Sequence, residues 1–294
     1  MVPGLPRPHQ LGRPDHHLSF ASGSLSGIAL ATAPGGSSSR RQYGSAMPGR
    51  TRAKPARKPP DPALRARTRR ILTRLAKANP DWGPTLEFSN PFELLVATIL
   101  AAQARDDQIN QVTRVLFEKY RTPADFAAAP PDALEEDIKA TGFFRQKAKA
   151  LRAASQGLLA EFGGEVPAEL ESLTRLRGVG RKTASIVLGA AFGVPAIAVD
   201  RHVARVAGRL RLSRSADPDR IEQDLRSLYP KKDWVKATWC FVLHGRRVCM
   251  PTPACPVCPI NDLCPYPKKT KAPPAATQAS RRAQPARAPA RQTR

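Results

Sequence analysis

Apolar residues in the middle of this chain recur at helical spacing. Phe92, Leu95, Val96, Ile99 and Leu100 follow the i, i+3, i+4, i+7, i+8 pattern of one buried helical face. Ala148, Leu151, Ser155, Leu158, Leu159 and Phe162 repeat it, as do Ala184, Val187, Leu188 and Ala191. Asp217-Pro218 marks another helix start, with Asp as cap and Pro in the first turn, and Ile221, Leu225 and Leu228 turned inward. Breakers separate the segments: Asn79-Pro80, Asn90-Pro91, Pro130-Pro131, Gly163-Gly164 and Tyr229-Pro230. Strand-like alternation and Asn-Gly or Asp-Gly hairpin signals are missing. From Leu64 to Pro265 the pattern predicts an all-α core of about ten short helices.

Charge changes the picture at the two ends. The 294 residues carry 48 Lys and Arg against 24 Asp and Glu, a formal net charge of +24. Residues 1–63 and 266–294 supply +15 of that charge, leaving +9 for the core. Rich in Pro, Ser, Gly, Ala and basic residues, the tails at 1–63 and 267–294 are expected to be disordered, because they cannot bury enough apolar surface to offset chain entropy. The N-terminal tail is poor in acids, as organelle transit peptides are, but its prolines spoil an amphipathic helix. A solvated linker, or a true start at Met47, is the preferred reading. The apolar piece at Gly27–Ala33 is too weak for a signal peptide. No apolar run approaches the ~20 residues needed to span a bilayer. A basic chain of this kind implies a polyanionic partner, nucleic acid or an anionic surface, and points to the cytoplasm in association with the nucleoid.

Two local features carry candidate chemistry. Leu176-Arg177-Gly178-Val179-Gly180-Arg181-Lys182 joins two helical segments through a Gly-x-Gly turn. It reads either as a tight helix–helix turn or as a hairpin whose following helix, starting near Arg181, offers free N–H groups and its positive dipole end to a phosphate. The flanking Leu176, the Arg181-Lys182 pair and the basic chain favour the second reading. Lys182 lies in the first turn of that helix, where the dipole and Arg181 disfavour a cation and promote the neutral, nucleophilic amine. Alternatively it contacts phosphate as a cation. Asp200, at the end of the apolar run Ile197–Val199, either caps a helix over Arg201–Leu210 or projects a carboxylate into a cleft to take a proton or stabilise positive charge.

Cys249, Cys255, Cys258 and Cys264 form C-x5-C-x2-C-x5-C. Four thiols this crowded predict a metal site rather than disulfides, and one knuckle with an outlying Cys on each side suits an iron–sulfur cluster better than a zinc ribbon. Cys240, among Trp239, Phe241 and Val242, reads as a buried structural thiol.

The hairpin Leu176–Ala184, the Val199-Asp200 step and the four-Cys loop after Leu243-His244-Gly245-Arg246 together resemble the endonuclease III family of DNA glycosylases. Leu100–Asp106 and Thr141–Ala148 extend the resemblance over about residues 64–266. It implies two α-helical domains with a DNA-binding cleft between them. Residues 89–200 correspond to a six-helix barrel with the helix-hairpin-helix. Residues 64–88 and 201–266 correspond to a domain carrying a [4Fe–4S] cluster on Cys249, Cys255, Cys258 and Cys264. The resemblance further implies a monomeric base-excision-repair enzyme acting on damaged double-stranded DNA. It makes Lys182 the Schiff-base nucleophile and Asp200 its assisting carboxylate, with oxidised pyrimidines removed and the strand cut 3′ to the abasic site by β-elimination. Gln103 and Phe143 match the positions that wedge into the duplex. Gly178, Val179, Gly180 and Arg181 match the phosphate-binding turn, and Arg246 and Arg247 lie where DNA contact is expected.

From the residues alone, Gln103 continues its helix's apolar stripe as an exposed end or a duplex probe, and Phe143 is a probe or a core aromatic. The chain departs from the family in having five residues rather than six between Cys249 and Cys255, none of them basic, in Arg177 for a common Pro, and in an aromatic Phe143 for an aliphatic wedge. An adenine mismatch glycosylase and a non-catalytic helix-hairpin-helix DNA-binding protein are the alternatives. The first normally lacks a Lys at this position, and the second leaves Lys182 and Asp200 unexplained.

Overall fold

The computed structural model describes residues 61–271, and among them every regular element is helical. Eleven α-helices run in order: α1 (Pro62–Ala78), α2 (Pro91–Leu100), α3 (Asp106–Lys119), α4 (Pro123–Ala128), α5 (Pro131–Asp137), α6 (Phe144–Phe162), α7 (Leu170–Arg175), α8 (Arg181–Ala191), α9 (Arg201–Arg209), α10 (Pro218–Leu228) and α11 (Trp234–Arg247).

Local chemistry explains most boundaries. Asn90 caps α2 by accepting from Glu93 N at 2.9 Å, Asp217 caps α10, and Thr122 and Asp125 form a capping box on α4. All three helices place Pro in the first turn, where its missing N–H costs nothing. At the other end of α6, Gly163 takes a left-handed conformation at φ 60°. The N-terminal boundary differs from expectation: α1 begins at Pro62, within the stretch read as tail, because Asp61 accepts from Ala63 N at 2.9 Å. Past Tyr266, Thr270 donates to Pro253 O at 2.6 Å and accepts from Cys255 N at 3.2 Å, tying this segment to the cysteine loop. The rest of both expected tails, including Gly27–Ala33 and Met47, lies outside the described residues.

Apolar side chains gather into two cores. The first draws on α2 to α8, with Leu94, Leu100, Ile109, Phe126, Leu134 and Leu158 each fully buried. The second joins Ile71 and Leu75 of α1 to Val203 and Val206 of α9, Ile221 and Leu225 of α10, and Phe241 of α11. Leu159, placed on the inward stripe of α6 by its spacing, is 42% exposed. The buried arc of α6 is centred on Leu151, Ala154, Ser155 and Leu158, and Leu159 falls past its edge.

The α7–α8 turn depends on a close approach. Leu176 and Val179 bury their side chains in the first core, and Val179 N donates to Leu176 O at 3.0 Å. Gly178 adopts φ +88°, and a Cβ there would sit 2.8 Å from the Ala150 Cβ on α6. Only glycine allows both.

Gly178→Ala is therefore expected to cost about 1–3 kcal/mol in urea unfolding, whereas Gly180→Ala, which meets nothing within 4 Å, costs under about 1 kcal/mol. In the core, Phe126 stacks edge-on with Phe92 at a centroid distance of 5.5 Å. Phe126→Ala is expected to lose about 3–5 kcal/mol and Leu159→Ala less than about 1 kcal/mol, both read by denaturant midpoint.

Candidate active site and cysteine loop

Helix α8 starts directly after the turn, with Gly180 as its N-cap and no side chain closing the cap. The N–H groups of its first turn are left for an outside acceptor, at the positive end of the helix. Lys182 lies in this first turn, exposed, and makes no hydrogen bond or ion pair with any described residue. Its neighbour Arg181 is differently placed. The Arg181 guanidinium binds Glu222 of α10 with both Nε and Nη2, at 2.6 and 3.0 Å, and Glu222 is 5% exposed.

Lys182 borders a cleft of about 550 Å³ together with Thr98, Gln103, Asp200, His202 and Arg246. Asp200 is an N-cap and a cleft residue at once. Its Oδ1 accepts from His202 N at 2.8 Å and Val203 N at 2.7 Å, fixing the start of α9, while Oδ2 takes no hydrogen bond from a described residue. Burial, against the opposing pull of Asp200, holds the His202 imidazole below its ordinary range. Neutral His202 can then accept at Nδ1 from Arg205, 3.0 Å away.

Gln103 and Phe143 come to the same depression, beside Gly178 and Lys147. Gln103 does not extend the stripe of its helix. Helix α2 ends at Leu100, and Gln103 follows in a turn at φ 56°. Phe143 is not a core aromatic; it is 61% exposed, at φ 49°, and leads into α6. Left-handed backbone at a non-glycine residue costs about 1–2 kcal/mol, and such strain concentrates at functional sites. The pair thus forms two strained, exposed points flanking the hairpin. Lys147 lies beneath, 4% exposed, donating to Thr141 O at 2.7 Å. Burial pushes its amine below the usual lysine range.

Arg246 and Arg247 are held by acids distant in sequence. Arg246 donates to Asp106 at 2.7 Å and Thr85 at 3.2 Å, which ties α11 to α3. Arg247 binds Asp81 through both terminal nitrogens, at 2.9 and 2.6 Å, and Asn79 at 3.0 Å. Sequence spacing carries no sign of these pairings, nor of Glu222.

The four clustered cysteines form no disulfide and border one small pocket walled by Val206, Leu210 and Ile260. No three described His, Cys, Asp or Glu side chains converge closely enough to hold a single metal ion. Four thiols bordering one pocket are the donor set that a [4Fe–4S] cluster takes. Arg205 and Arg209 clamp the shortened loop. Arg205 Nε donates to Cys249 O at 2.9 Å, and Arg209 donates to Met250 O at 2.6 Å and Pro251 O at 2.7 Å. Sequence spacing marks neither arginine, because their partners lie about 40 residues away in the chain. Cys240 is fully buried in the second core, apart from this pocket.

Residues 96–231 match the family model of the HhH-GPD superfamily base excision DNA repair proteins. Endonuclease III of Bacillus subtilis (strain 168) is 45% identical over 181 residues, which cover 61% of this chain and 83% of that protein. Endonuclease III of Escherichia coli (strain K12) is 39% identical over 206 residues, covering 70% and 98%. A solved structure of a trapped endonuclease III–DNA covalent intermediate, an estranged-adenine complex, superposes with a TM-score of 0.66 at 43% identity, covering 69% of this chain and 96% of that one. A thermostable thymine-DNA glycosylase shares the fold at 24% identity and a TM-score of 0.63. With helix, hairpin and cleft residues in these places, the chain belongs to the endonuclease III family of base-excision-repair DNA glycosylases.

Proposed function

We propose that this enzyme removes oxidised pyrimidines from double-stranded DNA and cuts the strand at the resulting abasic site, with Lys182 as nucleophile and Asp200 as its assisting carboxylate. The observation that carries the reading is the placement of an unpartnered Lys182, at the start of α8, in the same cleft as Asp200. The covalent and non-covalent DNA complexes of its structural relatives support DNA as the partner. The enzyme is read as a monomer, with residues 89–200 as the hairpin-bearing domain and 64–88 with 201–266 as the cysteine-bearing one.

Main-chain N–H groups of Gly178, Gly180 and Arg181 hold a phosphate without reading sequence, while Val179, whose N–H is bonded to Leu176 O, anchors the turn. Gln103 and Phe143 enter the duplex where the target nucleotide leaves it, and the cleft receives that nucleotide. The Lys182 amine forms a bond to C1′ as the C1′–base bond breaks, the base leaving with that bond's electron pair and taking a proton from water. Asp200 balances positive charge on the sugar, takes the proton that Nζ loses and passes it to O4′ as the C1′–O4′ bond opens to the protonated Schiff base. Loss of a C2′ proton to water then expels the 3′ phosphate with the electron pair of its C3′–O bond. Arg181 stays paired to Glu222 and acts through its main chain, while Arg246 meets phosphate from the cleft side and Arg247 from beside Asp81.

Cys249, Cys255, Cys258 and Cys264 are the residues that would hold a [4Fe–4S] cluster. When bound it supplies covalent cross-links within a short loop that otherwise depends on Arg205 and Arg209.

Lys182→Gln is expected to retain binding to lesion-bearing DNA while single-turnover strand cleavage falls at least about 100-fold; unchanged cleavage of an abasic substrate refutes the assignment. Asn still caps a helix, so Asp200→Asn should fold normally and slow base release by about 100-fold or more. An unchanged rate reduces Asp200 to its capping role. Purified protein is expected to be brown, with iron and acid-labile sulfide lost together in Cys258→Ser; a colourless protein with stoichiometric zinc contradicts the cluster.

A further inference from the structure

One buried hydroxyl in the wall of the cleft has no partner among the described residues. Thr98 lies in α2, where every other residue from Leu94 to Leu100 is apolar, and it is 8% exposed. Its Oγ1 is covered and makes no hydrogen bond. The other buried threonines among the described residues show what is ordinary. Thr68, Thr113, Thr141 and Thr238 each donate to a carbonyl three or four residues earlier, at 2.8, 3.0, 2.8 and 3.1 Å. Thr98 sits inside a regular helix and forgoes that bond. It also borders both the cleft of Lys182 and Asp200 and the depression flanked by Gln103 and Phe143.

A buried hydroxyl without a partner has already lost its water and is stabilised by the first polar atom that reaches it. Thr98 thus lines the cleft while its Oγ1 is covered. Threonine in a helix populates two χ1 rotamers, unlike valine, and no carbonyl bond locks the Thr98 hydroxyl in one of them. As donor and acceptor in one group, it can pair with a ring carbonyl or with a hydroxyl added by oxidation.

We propose that Thr98 is a specificity-determining residue whose hydroxyl bonds the polar edge of the oxidised pyrimidine in the cleft. This rests on the reading that Lys182 and Asp200 act on an extruded nucleotide. The hydroxyl serves base release and has no part in cutting a site that has already lost its base.

The two steps separate in one experiment. Single-turnover rates are measured for wild type, Thr98→Val and Thr98→Ser, on duplexes carrying thymine glycol or a preformed abasic site. Thr98→Val is expected to excise thymine glycol about tenfold more slowly, to cut abasic DNA within about twofold of wild type, and to unfold at an equal or higher temperature because an unpaired polar group is gone. Thr98→Ser should excise within about twofold of wild type. Wild-type excision by Thr98→Val overturns the proposal, and so do equal losses on both substrates, which would mark a packing role. A wild-type enzyme inert on abasic DNA removes the Lys182 reading and this one with it. Normal abasic cleavage with unchanged excision in Thr98→Val removes only this one.

Discussion

Helix α8 is packed from two sides, and the site exists because of it. Ala184, Val187 and Leu188 lie in the first core, while Ile186 and Ala190 pack against the second. Gly189 repeats the closeness on the α11 side, where a Cβ would meet Val235 at 3.1 Å. A helix held on two faces cannot turn about its axis without disrupting both cores. Its first turn, carrying Lys182, is thereby fixed at the seam, with Asp200 arriving on the segment that leads from α8 to α9. The same constraint aims the uncapped N–H groups beside Gly180 away from both cores.

Polar ties then span the seam. Arg181 reaches Glu222 and Arg246 reaches Asp106, each joining helices of different cores. Partly exposed pairs of this kind contribute little individually to stability, so their larger effect is to orient groups. They also redistribute charge. Arg181, Arg246 and Arg247 each have an acid beside them, whereas Lys182 makes no ion pair with a described residue.

Much of the fold was legible because helices declare themselves locally. Asp217-Pro218 opens α10 at the position expected, and the stripe of α2 is buried as its spacing implies. What escaped depends on tertiary geometry. Leu159 fits a helical repeat but lies beyond the arc that α6 buries. Gln103 looks like a helix continuation, yet α2 stops three residues earlier in a left-handed turn that no glycine announces. Partners such as Arg246 and Asp106 are 140 residues apart, where spacing arguments have no reach. Thr98 was visible only as one hydroxyl in an apolar run, and its lack of a partner is a fact of packing. In the candidate site, Lys182 and Asp200 were marked by helix-start chemistry and by family resemblance, and the cleft now places them together.

The central claim is that the Lys182 amine, and no other, becomes bonded to the sugar. Reducing the enzyme with borohydride in the presence of abasic duplex, digesting the product and sequencing the adducted peptide by mass spectrometry tests it directly. The account predicts the deoxyribose remnant on Lys182 within the peptide that follows the Gly178–Gly180 turn. An adduct on Lys147, on a terminal amine or on any other lysine would contradict it.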